Sequence, residues 1–467
     1  MGSARDFVDG STYSSLGYAP VSSEHDHADL ELLEGQIPAA LQGVFARNSS
    51  NPKFTPPEPY HWFDGDGMIH AVSFEQGRAS YRNRWVRTAG LAEDEAAGAA
   101  TWTGLLARPD MARPGGPYKN TANTDLLYWN GQLLALWWLG GGMPYALSLP
   151  ELSTVGPWTQ AGTMTAHPKV DPRSGDLVFL DYAPTSSRVT HGTLTRDGQL
   201  TRTPVQLPGP RPQHDLALTE HYTILIDVSM FPDPRALARG KVHMSFFPDV
   251  PTRLGVFDRR TQRVRHWFEV PACYVYHFAN AWELGEKIIV TACCMRDPLA
   301  YEPQPGRSDR VVPRIGHLRL EPQLVRWTLD LETGLAREDL LDDAMAEFPR
   351  VDDRRIGAPT RVAYLGSFAA REAFAFDGVR RIDLDSGAAI ERRYPPGWLG
   401  GEVSVAPLGD AEDDVALLTF VSEEAGDRSE LWVMAGRDLE ILAKLAIPTR
   451  VPAGFHTRWV GADELAR

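Results

Sequence analysis

Short apolar segments separated by turns fill most of this 467-residue chain, and that pattern limits the folds open to it. Examples are "DLVFLDYA", "YTILIDVS", "KIIVTACC", "LVRWTLDLETG" and "VALLTFVS". Several segments end in turns that begin with Asp and end with Gly, namely "VDPRSGDL", "DLETGL" and "DLDSGA". The Asp side chain closes such a turn and Gly accepts the positive φ. Hairpins in series, without alternating strands and helices, predict an all-β propeller rather than a Rossmann fold or a TIM barrel.

Two long segments, near residues 88–120 and 228–252, interrupt the strands. The first contains an Ala-rich, Glu-bearing stretch that predicts one or two helices. Long loops on a rigid scaffold commonly carry function, for example as a lid over one face. No linker divides the chain. We therefore expect a single β-propeller domain over residues 1–467, with these segments forming a helical and loop cap.

Charge and cysteine content narrow the functional classes. The chain has 47 basic and 61 acidic residues, a formal charge of −14, which argues against nucleic acid as a partner. The three cysteines, Cys273, Cys293 and Cys294, form no disulfide or zinc pattern, so we expect a cytoplasmic protein. No segment approaches the ~18 apolar residues of a transmembrane helix. Peripheral membrane contact stays open, and the oligomeric state is not indicated.

The stretch "YHWFDGDGMIH" at residues 60–70 has the composition of a metal site, with two histidines flanking two aspartates. Its glycines, however, are typical of a turn between the strands "YHWF" and "MIHAVSF". Asp in such turns usually accepts hydrogen bonds from nearby backbone N–H groups. We therefore predict a structural hairpin here, with His61 and His70 outside any metal site.

Four other histidines lie at the edges of strand-like segments, beside small or aromatic neighbours. They are His167, His214, His277 and His456. Their spacing matches no HExxH or CxxC pattern. In a propeller, strands distant in sequence converge on the central axis, so the four could meet at one metal. Imidazole ligands suit iron, copper or zinc better than calcium or magnesium. The residues alone leave a packed structural role open for each.

Nine motifs, in order over nearly the whole chain, give it a resemblance to the carotenoid cleavage oxygenase family, which includes apocarotenoid oxygenases and lignostilbene dioxygenases. They are "LEGQIPAALQGVFARNSSNP", "HWFDGDGMIHAVSFEQGRASYRNRWVRT", "KNTANT", "TAHPKVDP", "HDLALTEHY", "HFANAWE", "EFPRVDDRRIG", "GGEVSVAP" and "GFHTRWV". The resemblance implies a seven-bladed propeller with the cap over Fe(II), which the four neutral histidines hold on the axis. It also implies cleavage of a conjugated C=C bond by O2 into two carbonyl products.

In this family, three glutamates accept the outer N–H bonds of ligand imidazoles and so orient them. Glu347 and Glu402 match two of these positions. At the third, where the family commonly has Glu after Leu-Trp, this chain has Trp138. Water, a backbone carbonyl or a shifted residue could then orient the remaining imidazole, and the sequence does not choose among them.

The resemblance also implies a substrate pocket. The matching positions are Phe54, Trp85, Trp137, Tyr276 and Phe348, with Thr124 crowding one open iron position. Aromatic walls suit polyenes and phenyl rings equally.

Lys119 distinguishes between these substrate classes better than the aromatic residues do. It matches a lysine that, in the lignostilbene-type branch, holds a substrate 4-hydroxyl together with a tyrosine, at whose position this chain has Trp85. The lysine and the modest mean hydropathy of −0.28 together favour a phenolic stilbene or phenylpropanoid as the substrate. An apocarotenoid is the alternative substrate. A propeller that only binds a metal is a more remote alternative, and Lys119 could also lie on a solvated loop.

Overall fold

Seven antiparallel sheets form the blades of a β-propeller, as predicted. The structure, a computed structural model, describes residues 13–239, 243–299, 311–315 and 318–466. Five blades have four strands each, and the two that join the ends of the chain have five and six. We number the blades I to VII in chain order, and blade I contains the last strand of the chain.

The strands of the first four blades are short, as the spacing of the turns predicts. Blade I contains His25–His27, Gly43–Ser50, Gly67–Glu75, Arg78–Trp85 and Thr457–Gly461. Blade II contains Leu126–Trp129, Gln132–Ala135, Tyr145–Leu147 and Thr154–Pro157. Blade III contains Lys169–Val170, Leu177–Tyr182, Arg188–Leu194 and Leu200–Gln206. Blade IV contains Ala217–Leu218, Tyr222–Asp227, Thr252–Asp258 and Arg263–Val270.

The remaining blades include the longest strands. Blade V contains Tyr274–Leu284, Lys287–Met295, Pro322–Asp330 and Ala336–Asp342. Blade VI contains Ala346–Arg350, Val362–Phe368, Phe376–Asp383 and Ala389–Arg393. Blade VII contains Leu32–Gly35, Trp398–Leu399, Ser404–Pro407, Val415–Glu423, Ser429–Ala435 and Ile441–Ile447.

Helices are few and short in the described residues. The α-helices are Ala89–Ala97, Pro234–Leu237 and Ala462–Leu465, and the 3₁₀ turns are Leu16–Tyr18, Trp62–Asp64 and Asp353–Arg355. Two ribbons stand apart from the blades, Met230–Pro232 with Met244–Phe246 and Arg314–Ile315 with Leu318–Arg319. None of these described helices is long and apolar enough to cross a membrane.

The predicted Asp-to-Gly turns are confirmed. Gly175, Gly334 and Gly387 have φ values of +75°, +72° and +74°. Each donates its backbone N–H to the carbonyl of the turn's first Asp, at 2.7, 2.8 and 2.8 Å. The carboxylates of these aspartates, residues 171, 330 and 383, accept backbone N–H groups within the same turns. The repeated turn chemistry therefore closes hairpins in three different blades.

Both ends of the chain close the ring. The last strand, Thr457–Gly461, pairs antiparallel with Gly43–Ser50 in blade I. The early strand Leu32–Gly35 pairs with Ile441–Ile447 in blade VII. Val460 in the closing strand is fully buried and packs in the apolar layer between blades I and II. Strands from opposite ends of the sequence are thus joined by backbone hydrogen bonds within blades I and VII.

The two predicted cap segments differ in structure. In residues 88–120, the helix Ala89–Ala97 begins at Thr88, whose hydroxyl accepts the Leu91 N–H at 3.1 Å, and the rest is irregular. Residues 228–252 carry the ribbon and the short helix Pro234–Leu237 instead.

The hairpin predicted at residues 60–70 is wrong in its first half. Trp62–Asp64 is a 3₁₀ turn rather than a strand. The His61 ring accepts the Phe63 N–H at 3.1 Å, and the Asp64 carboxylate accepts the His61 N–H at 3.2 Å. These two bonds wrap the backbone into a turn. The second half, Gly67–Glu75, is a strand as expected.

Candidate metal centre and substrate chamber

The four predicted histidines meet at the start of innermost strands from four blades. His167 and His214 precede the first strands of blades III and IV, and His456 directly precedes the closing strand of blade I. His277 lies within the first strand of blade V, where the pairing register shifts between Val275 and Phe278. One ring nitrogen of each histidine lies within 4.8 Å of the others. The fold therefore brings together residues far apart in sequence.

Three of these imidazoles donate their Nδ1–H to a buried carboxylate. The pairs are His167 with Asp125 at 2.9 Å, His277 with Glu347 at 2.7 Å, and His456 with Glu402 at 3.0 Å. With the proton on Nδ1, the Nε2 atom carries a lone pair. These bonds fix both the tautomer and the ring orientation, as hydrogen bonds to metal-bound histidines do.

The inner nitrogens are spaced for one metal ion. Nε2 of His214 lies 3.1 Å from Nε2 of His167 and 3.3 Å from Nε2 of His277. Two nitrogens that each bind one ion at about 2.1 Å, at right angles, lie about 3.0 Å apart. Lone pairs this close repel each other unless a cation lies between them. The donor set therefore fits a transition-metal ion.

Burial keeps three of the four histidines neutral. It lowers the pKa of His167, His214 and His277 well below the ordinary range, and the charge of neighbouring histidines lowers it further. A neutral imidazole is the form that coordinates a metal. These side chains are thus able to bind a cation at neutral pH.

The two predicted glutamates have different surroundings. Burial alone would raise the pKa of Glu402, but Arg350, whose Nη2 lies 3.0 Å from Oε2, and His456 lower it to about 2. Glu347 has no arginine or lysine within 4.0 Å among the described residues, and burial raises its pKa to about 8. Its Oε2 also accepts the Phe348 N–H at 2.6 Å, and Phe348 has a φ of +56°. This uncommon backbone conformation directs the Phe348 ring to 4.4 Å from that of His456.

His214 lacks a carboxylate partner. Among the described residues, no carboxylate oxygen is found within 4.0 Å of its ring nitrogens. Trp138, at the expected glutamate position, has its ring 5.6 Å from that of Phe63, and its indole N–H is buried without a partner.

Asp125, which supports His167, was missed in the sequence. The available signal was an acidic residue directly after Thr124, at the start of the apolar strand "LLYW".

An aromatic compartment borders the metal centre. Its walls are Trp62, Phe63, Thr124, Trp138, His214, Tyr276, His277, Ile315, Leu320, Glu347, Phe348, Phe368, Phe374, Phe455 and His456. The structure thus places the predicted residues Thr124, Tyr276 and Phe348 here. The Tyr276 ring meets the His214 ring edge-on at 4.9 Å. The sequence did not indicate the other apolar wall residues. Trp62, Phe63 and Phe455 lie in quoted motifs but were given no role in the pocket, and Phe368 and Phe374 lie outside those motifs.

A second, more polar compartment adjoins the first beneath residues 88–120. Both are lined by Phe63 and Trp138, which form the boundary between them. The predicted residues Phe54, Lys119 and Trp137 line this outer compartment. The cap segment 228–252 contributes to neither compartment among the described residues.

Lys119 is buried between two carboxylates rather than solvated. Its Nζ lies 2.7 Å from Asp94 Oδ2 and also contacts Asp66 Oδ1, with only 9% of the side chain exposed. Asp66 of the "DGDG" stretch is therefore a lysine partner and not a metal ligand. His70 of the same stretch bonds the Tyr81 hydroxyl at 2.8 Å, away from the four histidines.

Trp85 is not brought to either compartment. Its indole N–H donates to the Asn51 carbonyl at 3.0 Å, and its ring packs with Met68 and Leu91. The position that matches the family's tyrosine therefore lies in a small apolar cluster in this chain.

Known proteins resemble this chain in both sequence and fold. A family model described as retinal pigment epithelial membrane protein matches residues 18–461. The carotenoid 9,10(9',10')-cleavage dioxygenase 1 of Phaseolus vulgaris is 31% identical, over 97% of this chain and 90% of the relative. The isoeugenol monooxygenase of Pseudomonas nitroreducens is 30% identical, over 94% of this chain and 96% of the relative.

Two solved structures superpose over almost the full length. The lignostilbene dioxygenase of Pseudomonas brassicacearum has a TM-score of 0.84 and 28% identity, covering 96% of this chain and 98% of that one. A cobalt-substituted apocarotenoid oxygenase of Synechocystis has a TM-score of 0.82, 28% identity and the same coverage.

A seven-bladed propeller with a four-histidine centre on its axis is thus the class defined by fold and site. The chain belongs to the carotenoid cleavage oxygenase family. The predicted resemblance is confirmed, and so, at the level of the family, is the expected activity of an oxygenase acting on alkenes.

Proposed function

We propose that His167, His214, His277 and His456 bind Fe(II), and that the protein cleaves a conjugated C=C bond of a phenolic substrate with O2. The balanced reaction is R–CH=CH–R′ + O2 → R–CHO + R′–CHO. Fe(II) would supply the electrons and open coordination positions that O2 chemistry requires. The convergence of four imidazoles on one point beside an aromatic compartment carries this proposal.

The protein's own part is to bind and orient the alkene. Tyr276 and Phe348 stand against the ligand imidazoles, so a flat conjugated chain can lie between aromatic faces beside the metal. The nearly unbroken apolar wall excludes water from the reacting bond. Thr124 borders the same space and limits how many molecules fit beside the metal.

The outer compartment supports a phenolic ring as the second end of the substrate. A phenol there meets an ammonium and two carboxylates, so its hydroxyl can both accept from Lys119 and donate to Asp66 or Asp94. An apolar inner end and a polar outer end match a hydroxylated stilbene or phenylpropanoid. The relatives named for isoeugenol and lignostilbene agree with this choice.

An apocarotenoid remains the second candidate. The inner compartment is almost wholly aromatic and aliphatic, which suits a polyene, and the relatives named for carotenoids and apocarotenoids are equally similar. A buried lysine with two carboxylates would then lie near the end group of the polyene.

We place this activity in the reducing cytoplasm. All three cysteines are buried free thiols, which is consistent with a setting where no disulfide is formed. O2 and the alkene are the proposed partners.

The test is to load purified protein anaerobically with Fe(II), admit O2, and assay aldehyde products. The substrates are a 4-hydroxystilbene, its 4-methoxy analogue, isoeugenol and an apocarotenal. We expect the 4-hydroxystilbene to be cleaved and the methoxy analogue to react at least ~10-fold more slowly, because a hydrogen-bonding site rejects an analogue that leaves its groups unpaired. Lys119→Met should abolish this preference, and the methoxy analogue controls for damage to the fold.

Two results would count against the proposal. No turnover of any alkene by iron-replete protein rejects the enzyme assignment. Turnover of the apocarotenal alone rejects the phenolic substrate.

A further inference from the structure

One supporting carboxylate of this metal centre has a different position from the one the family resemblance implies. The expected glutamate would precede Leu139, but Trp138 stands there, and His214 has no carboxylate partner in the described part of the chain. His167 instead bonds Asp125, a residue from the start of the first strand of blade II.

We propose that Asp125 is a positioning residue of the metal centre, which holds His167 with Nδ1 protonated and Nε2 directed at the metal. This inference rests on the proposed function only in that the four histidines bind a metal. Asp125 touches neither the substrate compartments nor the inner nitrogens, so it acts through His167.

Asp125 is itself firmly held. Its Oδ1 accepts the Leu126 N–H at 2.7 Å, which leaves Oδ2 for Nδ1 of His167. Its backbone carbonyl accepts the Leu136 N–H at 3.0 Å. The residue is 8% exposed, at the edge of a cavity of about 900 Å³, and each of its two carboxylate oxygens accepts one protein donor. A buried carboxylate fixed at both oxygens can orient an imidazole more strictly than a mobile one.

With Asp125 in place of the expected glutamate, three carboxylates still support the four-histidine centre. Asp125, Glu347 and Glu402 each accept from one imidazole. Accepting the Nδ1–H of an imidazole orients the ring and raises its basicity as a metal ligand. Among the four, His214 becomes the ligand without such support, and an aromatic residue occupies the position the glutamate would fill.

The experiment measures metal binding without turnover. Co(II) is titrated into metal-free protein under argon, with the visible absorption spectrum and a competing chelator as readouts. Asp125→Asn should weaken Co(II) binding by about 10- to 100-fold and alter the ligand-field bands, because an amide holds the imidazole less strongly than a carboxylate. Glu347→Gln and Glu402→Gln give the size of loss expected for a supporting carboxylate.

Asp171→Asn is the matched control. Asp171 is buried and also lines the cavity of about 900 Å³ that borders Asp125, but it bonds Arg259 at 2.8 Å rather than a histidine. It should leave the Co(II) affinity and spectrum unchanged. Asp125→Ala gives a second comparison if the Asn side chain disturbs the fold, which the circular dichroism of the metal-free protein reports.

Unchanged Co(II) affinity and spectrum in Asp125→Asn would overturn the assignment, and so would an equal loss in Asp171→Asn. Neither readout depends on alkene cleavage. Absence of turnover by the wild-type enzyme, with the Asp125 effect intact, would reject the proposed function alone.

Discussion

At the scale of single residues, the four histidines are bound into the molecule in different ways, and His277 is the most constrained. It lies within a strand and donates to Glu347 at 2.7 Å, and its Nε2 is 3.3 Å from that of His214. No described histidine outside the four joins the cluster. A vacancy at this position cannot be filled by a neighbouring side chain.

His277→Ala should therefore abolish iron retention. Removing one of the four imidazoles lowers the affinity and also deprives the buried Glu347 of its imidazole donor. Iron per protein after gel filtration is the measurement, with less than a tenth of the wild-type content expected. His221→Ala is the control. The His221 ring is exposed and bonds Glu283 outside the four-histidine cluster, so this variant should retain full iron. Full occupancy in His277→Ala would show that it is not a ligand.

The sequence predicted the cluster of four histidines better than the carboxylates beside it. Each of these histidines stands in a short motif, whereas Asp125 and His167 meet only after two blades pack together. Trp85 matches a pocket position of the family by its motif. Its side chain nevertheless packs against Met68 and Leu91 and lines neither compartment. The direction of a side chain depends on strand twist and packing, which spacing does not encode.

At the scale of elements, the turn Trp62–Asp64 shows how a local hydrogen-bond pattern outweighs strand propensity. Its sequence is aromatic and was predicted as a strand. Asp64, however, accepts backbone N–H groups from His61 at 3.2 Å and from Leu105 at 3.1 Å. The turn is thus tied to the cap segment 88–120, a contact that the local sequence does not reveal. The Asp-to-Gly turns were predictable because their bonds lie within five residues.

Stability should depend on pH through Asp64. Burial raises its pKa from 3.8 to about 6, so its contribution is fully present below pH 3.8 and is lost as the pH rises through 6. The loss is about 3 kcal/mol of unfolding free energy at most. Urea unfolding between pH 4 and pH 7 measures it, as the difference between wild type and Asp64→Asn. Parallel pH curves for the two proteins would contradict this assignment. Asp427→Asn changes a side chain that is 98% exposed, and its curve of unfolding free energy against pH should be parallel to that of wild type.

At the scale of the whole molecule, the propeller positions the metal centre by closing on itself. His456 directly precedes the strand that joins the last residues to blade I, so the fourth histidine of the cluster is in place only when the ring is closed. The hairpin pattern predicted the all-β class, whereas the number of seven blades was implied by the family resemblance. Spacing alone could not supply that number, because blades I and VII each take a strand from the other end of the chain.

Ring closure also predicts that the molecule unfolds as one unit. Val460 lies fully buried between blades I and II, and shortening it to Ala should lower the unfolding free energy by about 2 kcal/mol. Because the blades form a closed circle, that loss should shift the entire transition, with far-UV circular dichroism and tryptophan fluorescence remaining coincident. Val155→Ala, the same change at a side chain 65% exposed on blade II, should alter stability by less than about 0.5 kcal/mol. Two separated transitions in Val460→Ala would mean that the chain contains more than one folding unit, and that ring closure does not couple the blades.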